Sequence, residues 1–136
     1  MGFLGTAAGW QADTTLLLQV AGFIILLSGI MHAKKKIFLR HFQMARITVA
    51  LGIISLIWMV TSLVRSFQII SSHVTALSSF LTLAHATIGV FAMTAGILLA
   101  FDRLVIKTKA PMRTVFIIWA AALFLGIIVY IRYYIM

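Results

Sequence analysis

Four histidines and seven methionines supply the soft or titratable donor atoms of this chain, and no cysteine accompanies them. Disulfides, thiolate metal sites and thiol redox chemistry are therefore excluded. His85 has the most unusual setting, within the apolar run that follows Ser71-Ser72-His73. It lies roughly nine residues into that run, which in a helix is about 14 Å. An ionisable side chain so deep in apolar surroundings is costly and marks a functional position by default. Three readings fit it: a neutral imidazole bonded across a helix pair, a metal or cofactor ligand, or a proton-linked group. Ser78, Thr82, Gly89, Ala92 and Gly96 recur around it at intervals of three and four. Together they form one small, partly polar helix face, which lets a second helix approach closely.

Cu(I) favours imidazole and thioether donors. Met59 is expected in the same half of the preceding helix as His85, and His73 in the connection between the two. His73, His85 and Met59 are thus a candidate metal set, although no paired His-x-His or Met-x-x-Met spacing reinforces it. A bis-histidine haem site needs two imidazoles facing each other at one depth, and only His85 is deep; copper is favoured over haem, and no cofactor is assigned with certainty. A second cluster comprises Lys34, Lys35, Lys36, Arg40 and His41. It suits anionic lipid headgroups or a docking partner. No Ser-His-Asp set, glycine-rich phosphate loop or metal motif occurs, so no catalytic residue is assigned and the chain reads as a non-enzyme.

The elements that carry these residues follow from composition. Of 136 residues, 63% are hydrophobic and 10% charged, with a single proline; mean hydropathy is +1.16. Soluble domains are about half apolar and about a quarter charged. The sequence therefore reads as one integral membrane domain over residues 1–136, neither a soluble globule nor a disordered chain. A bilayer core of about 30 Å needs about 20 apolar residues in a helix. Four stretches suffice: residues 14–33, 44–67, 76–101 and 114–134. Short connections make neighbours antiparallel, which predicts an all-α, up-down-up-down four-helix bundle.

The net charge of +9 is distributed asymmetrically. Lys34, Lys35, Lys36, Arg40, Arg46, Arg103, Lys107, Lys109 and Arg113 flank the first and third connections, and only Arg65 and Arg132 lie at the other side. Basic loops stay in the cytoplasm, so both termini are expected on the extracytoplasmic side of a cell (inner) membrane. This pattern argues for membrane topology and against nucleic acid as a partner. Asp13 is expected to cap the first helix. Trp10, Tyr130, Tyr133 and Tyr134 are expected at headgroup depth. Neither acid lies in the apolar interior, so a carboxylate proton relay is excluded.

Three groups of residues carry a family resemblance: Lys34-Lys35-Lys36 with Arg40-His41 and Met44-Ala45; Phe80-Leu81 with His85, Gly89 and Gly96; and Ile118-Trp119 with Gly126, Val129-Tyr130 and Tyr133-Tyr134. Over roughly residues 34–134 the chain resembles the small four-helix membrane family of the CtaM-type (YozB-like) cytochrome oxidase assembly factors. The resemblance implies a non-catalytic auxiliary protein, an accessory subunit or assembly factor of a copper-containing oxidoreductase complex such as a haem–copper oxidase. It implies membrane lipids and other integral subunits as partners, and functional roles for His41 and His85. The family tends to carry a histidine in the third connection; here Asp102-Arg103-Leu104 and Lys107-Thr108-Lys109 hold none. That departure weakens any metal role that depends on it. Two alternatives remain open: a resident structural subunit of another large complex, such as an archaeal copper (ammonia) monooxygenase, and a small haem-binding membrane cytochrome.

Overall fold

The computed structural model describes residues 2–72, 77–101 and 109–135, without the side chains of residues 69–72. It is all-helical: α1 Trp10–Lys34, α2 Phe38–Ser72, α3 Leu77–Ala100 and α4 Lys109–Tyr134. Each helix is long and apolar enough to cross a membrane. Large apolar side chains point outward, as Phe91 (68% exposed) and Ile24 (60%) illustrate. In water this arrangement would be unfavourable; in lipid it puts hydrocarbon against hydrocarbon.

Three of the four helices outrun the apolar stretches that predict them, and α3 stays within its own. α1 begins at Trp10 rather than Thr14, α2 at Phe38 rather than Met44, and α4 at Lys109 rather than Thr114. Apolarity locates only the part of a helix that would sit in lipid, whereas backbone hydrogen bonding continues into polar surroundings. Pro111 does not prevent this extension, because the first four N–H groups of a helix have no intrahelical acceptor.

α1 ends in a paired-hydrogen-bond turn: Ile37 N–H donates to the His32 carbonyl (2.9 Å) and Lys36 N–H to that of Ala33 (3.0 Å). This closure needs a left-handed residue, and Lys36 provides it at φ 61°. At the other end Asp13 is not the cap. Gly9 takes that position without a side-chain bond, because the preceding segment turns back over the bundle and the helix starts a turn earlier.

α1 packs most extensively on α2, and α3 on α4; α2 with α3 and α1 with α4 are looser. The contacts set Gly22 against Thr48, Gly29 against His41, Gly52 against Met93 and Gly96 against Trp119. Trp10 meets Trp58 edge-on at 5.6 Å between ring centroids. Thr48 Oγ1 donates to the Gly22 carbonyl at 3.0 Å, and His41 Nδ1 to that of Gly29 at 3.0 Å. The core is thin and built largely from small residues. Val49, Met93 and Ala100 are buried with Leu56, Ile97 and Trp119 around them. At Gly96 a methyl group would come within 2.7 Å of the Trp119 ring, so the missing side chain is what admits the indole between α3 and α4. With no hydrophobic effect between helices in lipid, such close approaches and interhelical hydrogen bonds must hold them together.

Candidate functional site

His85 lies about a third of the way along α3 and reaches to α4, where Nδ1 stands 2.9 Å from the Ala122 carbonyl oxygen. A carbonyl can only accept, so Nδ1 carries the proton and, in the neutral ring, Nε2 keeps an unshared lone pair. Gly126, one turn beyond Ala122, makes room for the ring. A Cβ there would lie 2.8 Å from His85 Cε1 and 3.2 Å from Gln19 Oε1. Gln19 of α1 therefore reaches the same point, and α1, α3 and α4 converge on it. Met59 arrives from α2: its Cε would stand 3.8 Å from a Cβ at Gly89, one turn beyond His85.

Gln19, Met59 and His85 line two cavities. The inner one, about 50 Å³, extends among Thr48, Ser55, Met93 and Trp119. It is large enough for a water molecule or an ion. The outer one, about 720 Å³, runs toward the end of the bundle that carries both termini. Thr15, Trp58, Ser62, Ser79, Thr82 and Tyr133 line it, with all four helices contributing. Among the described residues no charged side chain faces it. The threonines return their protons to their own helices: Thr15 Oγ1 to the Gln11 carbonyl (2.8 Å) and Thr82 Oγ1 to that of Ser78 (2.9 Å).

That end of the bundle is tied by a strap. Asp13, fully buried, accepts from Tyr130 O–H at 2.5 Å and from Leu4 N–H at 2.9 Å. Tyr130 commits its only proton to Asp13, so at 2.8 Å Thr6 Oγ1 is the donor to the Tyr130 oxygen. Ala7 N–H donates to the Tyr134 carbonyl at 3.3 Å. Tyr130 is thus a buried partner of Asp13, whereas Tyr133 is exposed.

The expected site residues distribute as follows. His85 and Met59 meet at the two cavities, and His73 lies outside the described residues, as do Asp102, Arg103 and Lys107. Ser78 and Thr82 border the outer cavity, Gly89 and Ala92 the inner one, and Gly96 holds Trp119. Lys34, Lys35, Lys36 and Arg40 are exposed at the α1–α2 turn, and His41 is half-buried against Gly29. Near that end Arg46 Nε donates to the Ala100 carbonyl at 3.4 Å, which places a cation at the C-terminal end of α3. Among the described residues no three His, Asp or Glu side chains come close enough to hold a metal ion.

Gln19 and the pairing of Asp13 with Tyr130 are what sequence reasoning does not single out, and Gly126 enters it only through the family resemblance. Gln19 carries a legible signal, as a carboxamide in the middle of an apolar stretch. The pair does not, because its members are separated by 117 positions. No family model, curated protein or solved structure matches the chain.

Proposed function

We propose that this chain is a multi-pass protein of the cell membrane, an up-down-up-down bundle with both termini extracytoplasmic. We propose further that it serves as a non-catalytic auxiliary protein of a copper-containing membrane oxidoreductase complex, either as an accessory subunit or as an assembly factor. The observation that carries the reading is the pairing of an oriented imidazole with a thioether. His85 Nε2 retains its lone pair while Nδ1 is engaged, and Met59 borders the same two cavities.

The donor set fits Cu(I), which accepts nitrogen and soft sulfur at low coordination number. His85 and Met59 would hold it. Copper here is cargo: two protein donors hold an ion for transfer better than they fix it for turnover. A haem bundle finds less support, since His85 is the one deep imidazole among the described residues. The charge asymmetry supports the orientation, and the CtaM-type resemblance supports the kind of host.

The test is isolation from native membrane, with partners identified and copper counted. Co-migration with a copper oxidoreductase is expected, together with Cu(I) uptake by the purified chain that His85→Ala abolishes. A chain that migrates alone and takes up no Cu(I) overturns the reading.

A further inference from the structure

The outer cavity is far larger than an ion requires, and the polar side chains of Gln19 and Ser79 border it. The Gln19 carboxamide makes no hydrogen bond among the described residues, and its Oε1 stands 3.2 Å from where a Cβ at Gly126 would lie. Ser79, 5% exposed, borders the cavity and likewise makes no side-chain hydrogen bond among the described residues. No buried side-chain nitrogen or oxygen among the described residues lacks a partner, so these two groups are open to the cavity rather than sealed off in the core. Their natural partner is a polar group brought in by a ligand.

The lining defines that ligand. No charged side chain among the described residues faces the cavity, which disfavours phosphate and ammonium headgroups. About 720 Å³ is the size range of cofactor pockets. Trp58 and Tyr133 present aromatic surfaces, which suit a flat ring by stacking or edge contact. Gln19 and Ser79 offer N–H and O–H donors to ring oxygens. We infer that the outer cavity binds an uncharged membrane amphiphile of the quinone class, its ring oxygens held by Gln19 and Ser79 and its ring against Trp58. The inference goes beyond the copper reading and does not depend on it: the ring needs neither His85 Nε2 nor the Met59 sulfur.

Quenching of tryptophan fluorescence by a short-tailed benzoquinone, in nanodiscs of the full chain, tests this. The wild type should show a saturable component, absent in a Trp58→Phe control. Gln19→Leu and Ser79→Ala should each weaken it about three- to tenfold, the loss of one hydrogen bond. Neither side chain makes a hydrogen bond among the described residues, so both variants should keep wild-type helicity and melting temperature. Quenching that rises linearly with probe in every variant, as simple partitioning gives, overturns the inference. So does saturable binding that Gln19→Leu and Ser79→Ala leave untouched. His85→Ala separates the two readings: it should lose Cu(I) while retaining quinone binding, and loss of quinone binding in that variant counts against the ring site as drawn.

Discussion

His85 can turn into the bundle only because Gly126 has no side chain. Gly126→Ala places a methyl group within 2.8 Å of the imidazole, so the ring must move or the helices part. Overpacking of this kind costs about 1–3 kcal/mol. The expected result is a lower melting temperature in detergent together with weakened Cu(I) binding, because the bond to Ala122 would be displaced. A variant with wild-type melting and copper affinity would show that the ring is not seated against Gly126. Tyr130→Phe removes a donor from a fully buried carboxylate at the strap. Hydrogen bonds to charged groups contribute about 1.5–3 kcal/mol. Destabilisation of that order is expected on thermal unfolding, and it should be much smaller when Tyr130→Phe is made in an Asp13→Asn background. His85 was legible in the sequence because a titratable group in an apolar run stands out by type alone. In the sequence Asp13 and Tyr130 stand apart, as a helix cap and an interfacial aromatic, because nothing local to either residue signals a partner at the far end of the chain.

At the scale of elements, all four helices were legible, since runs of about 20 apolar residues have few alternatives in lipid. Their ends were not, because hydropathy does not detect where backbone hydrogen bonding stops. The α1–α2 turn shows why. A glycine would have advertised the left-handed closure, but the chain places Lys36 there at φ 61°. A side chain in that region costs about 1–2 kcal/mol. Glycine relieves this but gives back roughly 0.5–1 kcal/mol through the greater freedom of the unfolded chain. Lys36→Gly is therefore expected to stabilise the protein by about 0.5 kcal/mol, read as a small rise in melting temperature. A clear fall would mean that the lysine side chain contributes something the turn geometry does not require. The cavities illustrate the same limit. The small-residue face of α3 follows from spacing, but where it opens to a void and where it closes on Trp119 depends on which side chain the facing helix presents.

For the whole molecule, the two tightly packed pairs, α1 with α2 and α3 with α4, meet each other less extensively, and the outer cavity lies among all four helices. Their sidedness in a bilayer is a separate matter governed by charge. Nine bases flank the first and third connections and two lie at the opposite side. Reporter fusions at the C-terminus read the orientation directly. A phosphatase that is active only outside the cytoplasm should be active there, and a fluorescent protein that matures only in the cytoplasm should stay dark. The asymmetry is large enough to survive partial loss: replacing Lys34, Lys35 and Lys36 with asparagine leaves six bases against two. Because basic residues close to the first helix usually dominate orientation, that variant should yield a minority of inverted molecules, and adding lysines within residues 2–8 should enlarge it. Inversion would put the strap and the mouth of the outer cavity on the cytoplasmic side. If the unmodified chain already gives a bright cytoplasmic reporter at its C-terminus, copper hand-over through His85 and Met59 at the outer face is excluded, and the strap would have to guard a cytoplasmic opening.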